Sequence, residues 1–412
     1  MQAKQLPEGW KYTTLLNAVG GDPGQVVGGP FGSCLKVEHY LDGGVPIIRL
    51  QNIGRRNFIK KDIKYVSQEK ADELSYHSYQ SGDLILAKLG DPIGKTCIIP
   101  EDEKKGIVVS DAVRIRNANE NLSSKYLMYV LNSDSISRQL NKQVFGTTRP
   151  RVNLEEVRNL LIPIPPLPVQ RRIVAILEQA EALKQHRFQA DELTQQFLQS
   201  VFYQMFGDPV RNEKGWETVK FETISKINMG QSPLGDSYNK DGIGIPLLNG
   251  PEEFGPKYPI PKQYTTKPSK ICDIGDILFC VRGATAGRMN WADNKYCIGR
   301  GLASIQSIAN KSDIQFLYHF LELNYEKFQK TGRGSTFINI SRSDLSNLKA
   351  PSPPLALQQQ FARVVEQVEA LRERQRASGQ EIATLFDALM EMAFAGELIA
   401  NYEDEVFVWE MK

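Results

Sequence analysis

The sequence lacks the long apolar runs and the clustered cysteines and histidines that mark several protein classes. It has no stretch of roughly eighteen apolar residues, so no membrane-spanning helix is predicted. The five cysteines form no C-x-x-C pair, and the four histidines lie in unrelated contexts without metal-ligand spacing. An odd number of scattered cysteines, with no secretory leader at MQAKQLPEGW, predicts a soluble protein of the reducing cytoplasm.

Motifs of the common catalytic classes are also absent. The chain has no Ser/His/Asp order, no H-E-x-x-H, no Asn-Pro-Pro-aromatic motif of the amino-methyltransferases and no strand-linked G-x-G-x-x-G. The nearest approach to a phosphate-binding loop is GDPIGKT at 90–96, where three residues instead of four separate the glycines and a strand-like stretch follows. The sequence therefore predicts a binding protein with no catalytic residue, metal or cofactor of its own.

Charge gives no overall indication of the partner. Lys and Arg number 50 against 48 Asp and Glu, a net charge of +2 over 412 residues. A nucleic-acid binder of this composition must gather its basic side chains on one face, so local patterns decide the question.

What the sequence does contain is an internal repeat. The segment GTTRPRVNLEEVRNLLIPIPPLPVQRRIVAILEQAEAL from Gly146 aligns without a gap to GSTFINISRSDLSNLKAPSPPLALQQQFARVVEQVEAL from Gly334, at a constant offset of 188. Earlier in each half, SGDLILAKLGDPIGK from Ser81 aligns to IGDILFCVRGATAGR from Ile274 at an offset of 193. The halves start near residues 7 and 213, and they diverge between these anchors, which indicates a shared frame with two different ligands.

The first part of each half is rich in Gly and Pro. Short β-branched runs predict strands at 45–50, 83–86, 96–99 and 107–115, and helical periodicity appears at 123–140 and 312–329. A proline-rich connector then starts a helix, predicted over 169–206 and again over 357–394, with apolar residues at intervals of three and four. Gly207 and Gly396 are predicted to end these helices.

These elements predict an α+β fold in five parts. Two small domains of mixed strands and helices occupy 1–165 and 208–353, two helical spacers occupy 166–207 and 354–398, and a tail occupies 399–412. Each long helix would measure roughly 57 Å and span about 17 base pairs of B-DNA. An apolar stripe of this length needs a cover, so we expect the two helices to pair as an antiparallel coiled coil, with a plain dimerisation helix as the alternative.

Over its whole length the chain resembles one known family, the specificity (S) subunits of type I restriction-modification enzymes. The resemblance rests on the duplicated P-x-P-P-L-x-x-Q connector at 163–170 and 351–358, the preceding G-[TS]-T stretch, the G-D-[LI]-[LI] strand and the AFAGEL ending. It implies two target recognition domains and two helical spacers arranged with pseudo-two-fold symmetry. Each domain would read one half of a split, asymmetric target in double-stranded DNA, and the helices would set the gap.

The resemblance also implies partners and their cofactors. Two modification (methyltransferase) subunits, which carry S-adenosylmethionine and methylate adenine, would dock on the long helices, and two restriction subunits would use ATP with Mg. Docking would involve apolar helix residues of both spacers, namely Ile173, Leu177, Leu183, Phe197, Val201, Phe361, Val365, Val368, Leu385 and Leu389.

Candidate DNA contacts fall in three places. In the glycine-flanked loop, Lys95 and Arg288 occupy equivalent positions and Lys88 and Arg282 lie on its other side. Basic side chains beside tight glycines suit phosphate contacts, although solvated loop charges remain an alternative. Another set of candidates follows a matched strand and carries amides suited to adenine: Gln51, Asn52, Arg55 and, in the second half, Asn249.

The last of the three places is the flexible, hydroxyl-rich stretch before each connector. Its candidates are Thr147, Thr148, Arg149 and Arg151 in the first half and Arg333, Ser335, Thr336 and Asn339 in the second. The arginines suit bidentate contacts to guanine, whereas Thr148 and Thr336 suit a phosphate contact or a cap. The alternatives to this function are the specificity subunit of another bipartite-target restriction system, or a helical scaffold that joins two protein-binding domains.

Overall fold

The computed structural model describes residues 6–90, 92–142, 151–330 and 338–400. They form two compact units. The first unit comprises the chain up to His186 together with the part from Ser378 onward, and the second unit comprises Arg187–Ala377. Both boundaries fall within long helices, so each unit holds one domain (the first or second domain) and a part of each helix.

The first domain consists of short strands and short helices. Its strands are Lys11–Thr14 (β1), Val26–Gly28 (β2), Val45–Ile48 (β3), Lys64–Val66 (β4), Ser78–Tyr79 (β5), Leu84–Ala87 (β6), Thr96–Ile98 (β7), Gly106–Val108 (β8), Ala112–Ile115 (β9) and Leu161–Ile164 (β10). Its helices are Leu15–Ala18 (α1), Gln68–Glu73 (α2), Ser124–Leu131 (α3), Asp134–Lys142 (α4) and Leu154–Arg158 (α5).

Two four-stranded sheets form the body of this domain. One has the antiparallel order β2-β9-β6-β7, and the other has the order β4-β3-β8-β5, in which β3 and β8 run parallel. Strand β6 is buried on both faces: Leu84 and Leu86 belong to one hydrophobic cluster, while Ile85 and Ala87 belong to another. This follows from the alternation of side chains along a strand, and it explains why all four residues of the strand that follows Gly82 and Asp83 are apolar.

After the long helix Leu167–Phe206 (α6), the second domain repeats this pattern. Its strands are Thr218–Lys220 (β11), Ser225–Met229 (β12), Tyr238–Asn239 (β13), Ile245–Leu248 (β14), Gln263–Thr265 (β15), Ile271–Cys272 (β16), Ile277–Cys280 (β17), Met289–Trp291 (β18), Tyr296–Ile298 (β19), Leu302–Ser307 (β20) and Lys349–Pro351 (β21). Its helices are Ile314–Leu323 (α7), Tyr325–Lys330 (α8) and Arg342–Ser346 (α9).

The sheet orders of the two domains correspond strand for strand. The second domain has the sheets β12-β20-β17-β18 and β13-β15-β14-β19-β16, so β13 is an added edge strand and the parallel pair is β14 with β19. Each domain is also closed by a two-stranded ladder between its first and last strands, β1 with β10 and β11 with β21.

The second long helix is Leu355–Ala395 (α10), followed by Glu397–Ala400 (α11). Gly207 and Gly396 end the long helices in the left-handed conformation, both with φ +77°, as predicted. In the first unit Ile173 of α6 and Phe394 of α10 belong to one core, and in the second unit Phe202 and Phe361 pack with ring centroids 5.5 Å apart. No helix among the described residues is long and apolar enough to cross a membrane.

A buried glutamine explains the last residue of each connector motif. The Gln170 amide donates to the carbonyls of Asn121 (3.0 Å) and Pro165 (2.9 Å), and its oxygen accepts from the Ser123 N–H (2.8 Å). Gln358 makes the same bonds in the second unit, to Pro353 O (2.8 Å) and from the Asp313 N–H (2.9 Å). The glutamine thus fastens the start of each long helix to the loop that begins a domain helix.

Three predicted elements differ from the structure for identifiable reasons. The helices predicted at 123–140 and 312–329 are each split, because Asn132 and Asn324 donate their side-chain amides to the carbonyl four residues earlier (2.8 Å in both) and end the first helix. The strand predicted at 107–115 is two strands, because β8 pairs with β3 in one sheet and β9 with β6 in the other.

Candidate nucleic-acid interface

The glycine-flanked loop of each domain is the tip of a β-hairpin. Strands β6 and β7 pair antiparallel, and the Gly94 N–H donates to Ala87 O at 2.9 Å; in the second hairpin, β17 and β18, the Gly287 N–H donates to Cys280 O at 2.7 Å. A phosphate-binding loop must open a helix, and here a strand follows. The strand-loop-strand predicted at GDPIGKT is therefore confirmed, and the helix that a phosphate-binding loop opens does not follow it.

The hairpin lies beside the segment that follows the hydroxyl-rich stretch. In the first domain Leu89 and Arg151 form an isolated antiparallel bridge, and the Val152 N–H donates to Lys88 O at 3.1 Å. In the second domain Arg282 and Asn339 form the equivalent bridge. The structure thus brings together predicted residues from two separate sequence stretches in each domain.

A third loop completes this edge of the domain, which we call the loop edge. The Lys88 N–H donates to Asp111 O (2.9 Å), and the Gly29 N–H to Ala112 O (2.9 Å). In the second domain the Val281 N–H donates to Gly301 O (2.9 Å) and the Gly230 N–H to Leu302 O (2.9 Å). The loop edge therefore comprises residues 28–33, 88–90, 92–95, 109–112 and 151–153 in the first domain, and 230–234, 281–288, 299–302 and 338–341 in the second.

Charge at the first loop edge is partly neutralised from within. Arg151 forms an ion pair with Asp111. Lys88 is half-buried, and burial lowers the pKa of its amine, with Arg151 acting in the same direction and Asp111 against it. An anionic ligand beside the Lys88 amine would favour its charged form, so Lys88 suits a phosphate contact.

Other predicted contacts are exposed to different degrees. Gln51, Arg282, Arg288 and Asn339 are exposed, whereas Lys95 is half-buried. Asn249 is half-buried; its amide donates to Gln263 Oε1 at 3.2 Å. These side chains remain candidates.

Asn52 is a correction, and Arg55 is a weaker candidate than its sequence position indicated. Asn52 is fully buried; its amide donates to the carbonyls of Ile59 (3.0 Å) and Lys61 (2.8 Å), and its oxygen accepts from the Arg49 N–H (3.1 Å). It holds a turn and has no free group for a base. Arg55 is exposed, but its guanidinium donates to Asn132 O at 2.9 Å, at the end of α3.

The remaining predicted contacts lie outside the described residues. They are Thr147, Thr148, Arg149, Arg333, Ser335 and Thr336.

The predicted docking residues on the long helices divide by burial. Five are buried in the chain's own cores and cannot contact a partner, a correction to the prediction: Ile173, Leu177, Phe361, Val365 and Val368. Two are partly buried against these cores, Val201 and Leu389. The exposed ones are Leu183 (51%), Phe197 (51%) and Leu385 (49%). Periodicity identified the apolar positions but not which of them the fold covers.

Sequence reasoning missed two exposed apolar side chains at the loop edges. Phe31 is 85% exposed in the loop after β2, and Leu234 is 69% exposed in the corresponding loop after β12. An apolar side chain at such a position can contact a thymine methyl or a base step. The available signal was Phe31 itself, set between glycines in G-P-F-G.

The described residues contain no group of three or more His, Cys, Asp or Glu side chains that could hold a metal ion. The arrangement of exposed cations, amides and apolar side chains on neighbouring loops suits binding.

Comparison with known proteins agrees with this geometry. The family model of the type I restriction modification DNA specificity domain matches the chain twice, at residues 32–193 and 213–382. A putative type I restriction enzyme MjaX specificity subunit of Methanocaldococcus jannaschii is 30% identical over 374 residues, which are 86% of this chain and 87% of that protein.

Solved structures show the same likeness. A chain from a structure that concerns complex assembly and conformational transition of the type I R-M system is 27% identical, with a TM-score of 0.68 over 96% of this chain and 100% of its own. The S subunit of a type I restriction-modification system from M. genitalium, 14% identical over 96% of this chain and 99% of its own, shares the fold with a TM-score of 0.53.

The two matches of the family model confirm the tandem repeat, one match in each half. The relatives are specificity subunits, the DNA-recognition component of their systems rather than a catalytic one. This chain therefore belongs to the family of type I restriction-modification DNA specificity domains.

Proposed function

We propose that each domain reads one half of a split, asymmetric target in double-stranded DNA. The observation that carries this proposal is the repeated loop edge, in which the same backbone hydrogen bonds hold different side chains. Leu89 is replaced by Arg282 at one position of the bridge, and Arg151 by Asn339 at the other. Arginine suits guanine and asparagine suits adenine, so the two edges would recognise different bases.

Phosphate contacts would come from the basic side chains of the hairpins. Lys88, Lys95 and Arg288 lie beside the glycines of the hairpins, an arrangement that suits positioning rather than base reading. The hydroxyls and arginines of 147–149 and 333–336 are proposed to contact the same DNA on sequence grounds.

The long helices are proposed to pair as an antiparallel coiled coil with pseudo-two-fold symmetry that sets the gap between the half-sites. Support comes from the cores of the two units taken separately. In the first unit Leu177 of α6 shares a core with Phe386 of α10, and in the second unit Phe206 shares one with Phe361. The early part of each helix thus shares a core with the late part of the other.

Two modification subunits are the proposed partners on the helices. Leu183 and Leu385 in the first unit, and Phe197 in the second, are half exposed, and Leu193 (65%) extends the apolar surface of α6. S-adenosylmethionine would arrive with these partners, and ATP with Mg would act in two restriction subunits.

A domain exchange tests the reading function. Residues 7–145 are replaced by the equivalent region of a relative, and the complex with modification subunits is assayed by sequencing methylated DNA. We expect one half of the methylated motif to change and the other half to stay the same. A change in both halves, or in neither, would contradict modular reading.

Salt dependence tests the phosphate contacts. Lys95→Ala should weaken binding to all sequences alike and lower the slope of log K against log salt by about one. Lys125→Ala, whose amine pairs with Glu178 at 2.6 Å in the same unit, is the matched control and should leave the slope unchanged. An unchanged slope in Lys95→Ala would remove this residue from the interface.

A further inference from the structure

Each unit contains an ion pair that joins a turn of its domain to a long helix. In the first unit the Arg56 guanidinium pairs with Glu181 of α6. In the second unit the Lys257 amine pairs with Glu369 of α10 at 3.1 Å. We call these two contacts the turn–helix pairs.

The two turn–helix pairs are equivalent. Glu181 and Glu369 match at the constant offset of 188. The turns match through their hydrogen bonds: the Gly54 N–H donates to Asn57 O at 2.9 Å, as the Gly255 N–H does to Tyr258 O at 3.1 Å. This register places the basic residue, 56 or 257, at the same point of each turn.

The pairing persists although the turn backbone has changed. Arg56 has φ +73°, in the left-handed region that is costly for a non-glycine residue. Lys257 does not lie in that region and instead follows Pro256, whose ring fixes a negative φ. Two different turns therefore deliver a cation to the same helix position, which indicates a requirement on the contact itself.

The pairs are partly buried and have supporting contacts. The side chains of Arg56 and Glu181 are 13% and 32% exposed, and the Tyr129 hydroxyl donates to Glu181 at 2.7 Å. In the second unit the side chains of Lys257 and Glu369 are 27% and 26% exposed. Burial alone would raise the pKa of Glu369, but hydrogen bonds from Arg372 and Lys257 outweigh it and lower the pKa.

Each pair is one of the polar attachments of a domain to its helix, which in the first unit also include Lys125 with Glu178. Another is the connector glutamine, Gln170 or Gln358, and the glutamate follows eleven residues later in both copies. Eleven helical residues span roughly 16 Å. The domain also packs on this part of the helix through apolar side chains such as Leu177 and Val365, and a directional ion pair at this distance from the glutamine limits rotation about that packing.

The second unit leaves room for such a tilt. A cleft of about 990 Å³ lies beside the pair, and its walls include Lys257 of the turn, Trp291 of β18, Tyr318 of α7 and Glu369 of α10. If the pair opened by about 3 Å, the lever of roughly 16 Å would turn the domain by roughly 10°. At a radius of about 15 Å, the radius of gyration of a domain of this size, this moves the reading edge by about 3 Å, close to one base-pair rise.

We infer that the turn–helix pairs are positioning contacts that fix the angle of each recognition domain on its helix and thereby restrict the gap between half-sites. The inference rests on the proposed bipartite reading. In this inference Glu181 and Glu369 make no DNA contact of their own and act through the domains that they hold.

The experiment uses the full-length chain in complex with its modification subunit, and DNA carrying both half-sites at the native gap and at gaps one base pair shorter or longer. Methylation rates give a gap preference for the wild type, Glu369→Gln and Glu181→Gln. The matched control is Glu222→Gln, an exposed glutamate of the second unit that lies 3.9 Å from Lys220. The charge exchange K257E/E369K tests rescue.

We expect Glu369→Gln to reduce the preference for the native gap about five-fold, with base preference within each half-site unchanged. Glu222→Gln should keep the wild-type preference. K257E/E369K should restore part of it, because the ion pair is re-formed while the hydrogen bond from Arg372 to residue 369 is lost. A merely structural contact would lower the melting temperature and leave the gap preference intact, and that result would overturn the inference. A wild-type complex indifferent to the gap would instead overturn the proposed bipartite reading, and this inference with it.

Discussion

Replacing Gln170 by leucine removes three hydrogen bonds from a fully buried site while nearly preserving side-chain volume. The Ser123 N–H and the carbonyls of Asn121 and Pro165 then lose their partner. A net hydrogen bond contributes about 1 kcal/mol, and a buried polar group left without one costs about 1 to 3 kcal/mol. The expected loss is about 3 kcal/mol in the free energy of unfolding of the first unit.

Urea denaturation of the full chain measures this loss. The matched control is Gln179→Leu, an exposed glutamine on the same helix, which should change the free energy by no more than about 0.5 kcal/mol. Hydrogen exchange at the Ser123 amide should accelerate in Gln170→Leu and not in Gln179→Leu. If the two variants were equally stable, the connector glutamine would not fasten the helix to the domain.

Three further predictions concern other buried positions. Gly94→Ala should lower the free energy of unfolding by about 2 kcal/mol, because Gly94 has φ +86° and a Cβ would lie 2.4 Å from Leu140 Cδ1; a wild-type urea midpoint would contradict this. Burial raises the pKa of the Cys97 thiol to about 12. Iodoacetamide at pH 8 should therefore label the partly exposed Cys34 and spare Cys97. Peptide mass mapping that finds both cysteines labelled would refute this prediction. Burial also raises the pKa of Asp276. The protonated carboxyl therefore contributes stability that is present below the pKa of the unfolded chain and is lost as pH rises through the folded pKa. Wild type should lose stability relative to Asp276→Asn over that pH interval, whereas parallel pH profiles of the two proteins would contradict the prediction.

Much of the fold could be predicted because the informative residues act locally. The prolines of the connectors and the glycines at 207 and 396 determine where the long helices begin and end within about two residues. The hairpin was predictable because β-branched runs flank tight glycines. Side-chain caps at Asn132 and Asn324 were harder to foresee, since asparagine ends a helix only when its amide reaches the preceding turn.

The candidate site was less predictable because it depends on contacts between distant segments. Asn52 has the residue type of a base-reading side chain, yet the carbonyls of Ile59 and Lys61 consume its amide. Periodicity placed Ile173 and Leu183 alike on an apolar stripe, but one is fully buried and the other half exposed. Such differences arise from which neighbour covers a position, which spacing along one helix does not encode.

The constant offset between the connectors and long helices has a physical cause in these contacts. Gln170 and Glu181 both attach the helix to the same domain, and adding one residue between them would turn Glu181 by about 100° around the helix axis, away from Arg56. The loops before the connector carry no such paired constraint, so their lengths drift and the offset falls from 193 to 188 between the hairpin and the connector. Loop length is therefore free to vary where the domains would read DNA, and the spacing along the helix is fixed where each domain is held at its angle. This separation is expected of a chain that changes its DNA target without changing its partners.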